Sequence, residues 1–75
     1  MDTIDIDSQK IREYLRNRRV LINMGQDDVA EIVGVGVGAI GHWETGKRSP
    51  SLENFLRWVY AVGSSLGEVG RDLSA

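Results

Sequence analysis

The chain has no cysteine, so neither a disulfide nor a thiolate metal site can brace it. Its one histidine, His42, is too few for a zinc site built from imidazoles, and no metal or other cofactor is expected. No apolar run approaches the roughly 20 residues needed to span a bilayer, and no signal-peptide pattern opens the chain. A cytoplasmic protein without a membrane partner is the expectation. An excess of positive charge is also missing. The net charge is −2, which weighs against nucleic acid, because phosphate neutralisation supplies most of the affinity of a DNA binder. The distribution of charge softens that objection. Asp2, Asp5 and Asp7 open the chain, whereas Lys10, Arg12, Arg16, Arg18 and Arg19 crowd one segment and Lys47 and Arg48 form another. A folded surface can segregate the two signs.

What is present must build one small core from the 41% of residues that are hydrophobic. At 75 residues there is one domain, and such a domain buries only about 60% of its unfolded surface, so its stability margin is thin. There is no repeat and no low-complexity stretch. Ile4 and Ile6 alternate with aspartates, which fits a short strand or a loose tail; residues 1–8 are assigned to a tail and 9–75 to the domain. A first helix is predicted from about Gln9 to Ile22, capped by Asp7 or Ser8 and buried through Ile11, Tyr14, Leu15 and Ile22. Arg18 falls on that stripe and must reach water or find a partner. Arg12 and Arg16 read as a solvated outer face. Asn23 suits a left-handed stop. A second helix is predicted over Gln26–Val33, a third over Val37–Thr45 and a fourth after Ser51 with Leu52, Phe55, Leu56 and Val59 as its core face. A fifth opens at Ser65 with Leu66, Val69 and Leu73 as its stripe. Five helices and no assured strand make an all-α bundle.

The segment from Gln26 to Thr45 carries the functional signal. Two helices that cross steeply through a tight turn need a small residue where they touch, a glycine in the turn and apolar residues to fix both helices to the body. Ala30, Gly34 and the set Val29, Val33, Val35, Ile40 and Trp43 meet all of these demands. This is the pattern of a helix-turn-helix. With Leu15 to Arg19, Gln26 to Ala30, Trp43-Glu44, Gly46-Lys47-Arg48 and Pro50 to Glu53, the chain resembles the Cro and phage-repressor, or XRE-like, helix-turn-helix family over roughly residues 9–70. The run from Trp43 to Ser51 is its most specific part. The resemblance implies a lambda-repressor-like fold and a sequence-specific regulator of transcription, a Cro-like repressor acting by operator occupancy. It implies that Val37, Gly38, Gly41 and His42 face base edges, that Gln26, Lys47 and Arg48 grip phosphates, and that Arg19 pairs with Glu44. It also implies a homodimer on a near-palindromic site of double-stranded DNA, without a small-molecule ligand. Trp58, Val62, Leu66, Val69 and Leu73 are the surface expected for dimerisation, with closure of the monomer core as the other use for them. At this length no room is expected for a separate ligand-sensing domain.

The recognition helix departs from the family, whose base-facing sites commonly carry Arg, Gln, Lys, Ser or Thr. Gly38 and Gly41 each cost about 0.8–1 kcal/mol against alanine in a helix interior. With few bidentate readers, Val37 is left for a thymine methyl, His42 for guanine N7 or a phosphate, and DNA shape for part of the specificity. The acidic balance leaves a second reading open, a helix-turn-helix that contacts protein as an antirepressor or adaptor. A nucleotide enzyme is the weakest rival. Gly36-Val37-Gly38-Ala39-Ile40-Gly41 is a literal dinucleotide-type motif. Yet Gly46 and Pro50 end any helix soon after it, Leu52 to Val62 has helical periodicity, and residues 42–75 are too few for the rest of a doubly wound sheet. No catalytic constellation is apparent, so no enzyme is expected.

Overall fold

The computed structural model describes residues 7–74 and places five helices there, with no strand among the described residues. They are α1 (Ser8–Leu21), α2 (Gln26–Val33), α3 (Val37–Thr45), α4 (Leu52–Ala61) and α5 (Leu66–Ser74). The aspartate–isoleucine alternation of residues 1–6 lies outside the described residues.

Three of the helices start where a side chain accepts from a first-turn N–H, and α2 and α3 start after an extended glycine with no side-chain cap. The Asp7 carboxylate accepts from the Gln9 and Lys10 amides at 3.0 and 3.3 Å, so α1 starts at Ser8. Ser51 Oγ accepts from Asn54 N–H at 3.1 Å, and Ser65 Oγ from Glu68 N–H at 3.2 Å. Gly25 has no capping side chain; instead its own N–H donates to Asp28 Oδ2 at 2.8 Å. Helix α1 stops through Asn23, whose φ of 60° lets Met24 N–H reach back to the Arg19 carbonyl at 3.0 Å.

The core joins Leu15 of α1, Val29, Ala30 and Val33 of α2, and Ile40 and Trp43 of α3. Trp58, Val59, Ala61, Val62 and Val69 supply the rest from α4, its cap and α5. Trp43 and Trp58 meet with ring centroids 5.6 Å apart, and the rings of Phe55 and Trp58 stand nearly perpendicular with centroids 6.5 Å apart.

Three expectations need correction: the buried face of α4, the dimer surface and the place of Ile22. On α4, Leu52 and Leu56 are exposed and Trp58 and Val62 are inside. The helix carries apolar residues around most of its girth, so two stripes have helical spacing. The one chosen, Phe55, Trp58, Val59 and Val62, buries the indole, which is the larger area. Trp58, Val62 and Val69 are therefore not the outer face of a dimer surface: they are 1%, 0% and 5% exposed in the single chain. Leu66 and Leu73 do remain partly open. Ile22, expected in the core, is exposed because α1 has already ended at Leu21 and the chain turns away.

Candidate nucleic-acid interface

Helices α2 and α3 meet at a turn that the backbone specifies closely. Gly34 adopts φ 87°, a left-handed conformation that side chains rarely tolerate. Its N–H and that of Val35 both donate to the Ala30 carbonyl, at 2.8 and 3.0 Å, and so close the end of α2. Ala30 is buried at the crossing, where a larger side chain would push the helices apart. Because Ala30 to Val33 is helical, the glycine motif at 36–41 follows a helix and not a strand, and no dinucleotide turn is formed.

Helix α3 has two unlike sides. Ile40, Trp43 and Glu44 point into the protein. Val37 is 52% exposed, Gly38 is exposed, and Gly41 and His42 are half-buried. These last four occupy one continuous arc of about 140° on the helix, beside the inward arc of Ile40, Trp43 and Glu44, as a period of 3.6 residues requires. The surface is low in relief, since a methyl added at Gly38 would meet no protein atom within 4 Å. No fold contact demands glycine there.

Polar fastenings hold this helix from behind. Arg19 Nε donates to Glu44 Oε2 at 2.7 Å and its Nη2 donates to Oε1 at 3.1 Å, a bidentate pair. Arg19 Nη1 also donates to the Met24 carbonyl at 2.9 Å. Hydrogen bonding to Glu44 raises the guanidinium above its ordinary range, outweighing the burial that opposes its charge. Gln26 Nε2 donates to the same carboxylate at 3.0 Å. The side chain expected to grip a phosphate is thus oriented by Glu44, with its amide beside Gly41. Arg19, Glu44 and Gln26 together tie α1, α2 and α3 at one buried carboxylate.

The loop after α3 turns through Gly46 at φ 82° and exposes Lys47 and Arg48. Arg48 N–H donates back to the His42 carbonyl at 3.2 Å. Arg12 belongs here, although its position on α1 suggested a solvated face. Its guanidinium donates to the Trp43 carbonyl at 2.6 Å, the Arg48 carbonyl at 3.2 Å and Ser49 Oγ at 2.8 Å. The sequence offers no local sign of this, because all three partners are more than thirty residues away. Arg18, which needed a partner, finds the carbonyls of Val62 and Gly63 at 3.3 and 3.0 Å.

Comparisons with known proteins follow the same outline. A family model described as helix-turn-helix matches residues 15–69. The cryptic phage CTXphi transcriptional repressor RstR of Vibrio cholerae serotype O1 is 32% identical over 60 residues, which is 80% of this chain and 54% of that protein. The chain spans about half the length of that curated relative. The crystal structure of the restriction-modification controller protein C.AhdI from Aeromonas hydrophila is similar with a TM-score of 0.75 at 28% identity, covering 84% of this chain and 96% of that one.

Proposed function

The chain belongs to the helix-turn-helix family, and from that premise we propose that it binds double-stranded DNA through α3 and regulates transcription by occupying its site. The observation that carries the reading is the two-sided α3. One side carries exposed Val37 and Gly38 with half-buried Gly41 and His42; the other is fixed to the body by two apolar residues and an ion pair. A short rod held this way fits a major groove. Val37, Gly38, Gly41 and His42 face the base edges. Gln26 stands at the start of α2, where unpaired N–H groups favour an anion, and Lys47 and Arg48 flank the far end. Val37 suits a thymine methyl, and His42 suits guanine N7 or a phosphate. With so few hydrogen-bonding readers, part of the selectivity falls to groove shape.

Repression by occupancy agrees with the relative named as a phage transcriptional repressor. No catalytic step or cofactor is assigned to the chain. Among the described residues no helix is long and apolar enough to cross a membrane.

One recognition helix covers little DNA, so a homodimer on half-sites about one helical turn apart is part of the proposal. The surface for it differs from the sequence expectation. Leu52, Leu56 and Tyr60 follow one another at intervals of four along the outside of α4, and the two outer members are 75% and 77% exposed. Apolar side chains aligned on one exposed face mark a protein contact.

A titration of duplex binding against salt tests the DNA reading. Neutralising three to five phosphates per subunit gives a slope of log affinity on log salt of roughly −3 to −5. A flat line would sink it and leave the protein-contact role that the acidic balance permits.

A further inference from the structure

We infer, resting on the DNA-binding reading above, that Arg12 is a positioning residue of the interface: it locks the loop carrying Lys47 and Arg48 to the end of α3, so that both cations meet the duplex as a fixed pair. The last four carbonyls of a helix have no partner within it. Arg12 takes one of these, that of Trp43, at 2.6 Å. The same guanidinium reaches across the left-handed Gly46 to the Arg48 carbonyl at 3.2 Å and to Ser49 Oγ at 2.8 Å. Its stem lies against the turn, with Cδ and Nε each 3.7 Å from where a Cβ on Gly46 would sit. One planar fork therefore spans the loop from before Lys47 to after Arg48. A second bond, Arg48 N–H to the His42 carbonyl, closes the loop on the helix from the other side.

The chemistry of guanidinium suits this task and that of ammonium does not. Arginine offers five N–H donors in a rigid plane, and here they serve acceptors on both sides of the turn. Lysine is a compact charge on a flexible stem and cannot span the same acceptors. The side chains of Lys47 and Arg48 stay exposed, while the backbone beneath them is held. A loop already ordered loses less freedom on binding than one that must be ordered by the DNA. Arg12 itself is half-buried, and its donors point at the protein.

The test measures affinity of the full chain for a mixed-sequence duplex of about three helical turns across a range of salt. It uses wild type, Arg12→Ala, Arg12→Lys, Ser49→Ala and the pair Lys47→Ala with Arg48→Ala, at a temperature where circular dichroism shows each to be folded. The Lys47/Arg48 pair should flatten the slope by about 2, since each phosphate contributes about 0.9. Arg12→Ala should remove about 1 or more of that same slope, and should change it little when added to the pair. Arg12→Lys keeps the charge and should fail to restore binding. Ser49→Ala, which alters no charge, should show a smaller loss in the same direction. Should Arg12→Lys bind like wild type, or should Arg12→Ala flatten the slope further on the Lys47/Arg48 background, Arg12 touches phosphate directly and the inference is overturned. A lowered melting temperature with an unchanged slope also overturns it, leaving Arg12 as a residue of the fold alone. A flat wild-type line fails differently, because it removes the DNA reading before Arg12 is considered.

Discussion

Helices α3 and α4 are neighbours of nearly equal length, and they are kept in place by different means. Helix α3 is a poor helix by composition, with glycines at 38 and 41, a threonine at its end and no capping side chain at Gly36. Left to itself it would not persist. It is supported from outside, by the Arg19–Glu44 pair on one flank and by Arg12 on the Trp43 carbonyl in its last turn. Helix α4 contains leucine, glutamate, arginine and alanine, which favour the helix, and begins at a serine cap. It buries Trp58, Val59 and Val62 and still leaves a row of large apolar residues outside. The difference shows where each helix spends its sequence. On the proposed reading the outward side of α3 is kept for DNA, and the stability of the helix comes from other elements. Helix α4 supplies its own stability and has apolar surface to spare for a partner.

The largest effect that bears on this contrast is expected at Glu44. Its carboxylate is buried and receives Arg19 and Gln26 together, so Glu44→Ala leaves three half-buried N–H donors unmatched. Breaking one side of a buried pair costs about 3–5 kcal/mol, enough to unfold much of a small domain. Ser51→Ala, which removes only the cap of α4, should cost about 1 kcal/mol. Urea unfolding of the two variants measures the gap, and equal midpoints would break the comparison.

A smaller effect of opposite sign is expected at Gly38. A methyl there meets nothing in the protein, so Gly38→Ala should stabilise the fold by about 0.8–1 kcal/mol through helix propensity. Duplex affinity should nevertheless fall, because the methyl stands on the surface assigned to the bases. Gly67→Ala in α5, where an added Cβ makes only ordinary contacts at 3.7 and 3.8 Å, should leave affinity unchanged. Thermal melts and duplex titrations on the two variants separate propensity from contact. If Gly38→Ala binds as tightly as wild type, the outer side of α3 is not approached closely.

The contrast also marks how far the sequence could be followed. The extents of α2 and α3 were legible to the residue, because their boundaries are set by local signals: Gly25, Gly34 and Gly46 around two short apolar patterns. Ala30, Ile40 and Trp43 were legible as inward residues for the same reason. On α4 periodicity failed, since Leu52 and Leu56 fit a helical stripe as well as Trp58 and Val62 do, and only packing of Trp58 against Trp43 decides between them. Arg12 was missed because a surface spacing on α1 carries no trace of acceptors contributed by α3 and the loop beyond it. Arg18 was partly legible: its place on the buried stripe demanded a partner, although nothing local named the carbonyls of Val62 and Gly63.

The smallest effect on the fold is expected where α4 is most exposed. Tyr60 is 77% open to solvent in the single chain, so Tyr60→Ser should change the stability of the monomer by no more than about 0.5 kcal/mol. If Leu52, Leu56 and Tyr60 join two copies, the same substitution should shift sedimentation toward monomer and weaken binding to duplexes carrying paired half-sites, with single half-sites bound as before. The double variant Leu56→Ser with Tyr60→Ser should move both readouts further. Buried Trp58 cannot serve as a probe of this contact, because truncating it opens a cavity in the core and confounds association with unfolding. A variant that stays folded, sediments like wild type and binds paired half-sites equally well would place the dimer surface elsewhere. The apolar row would then be surface that α4 tolerates because its helix is stable without covering it.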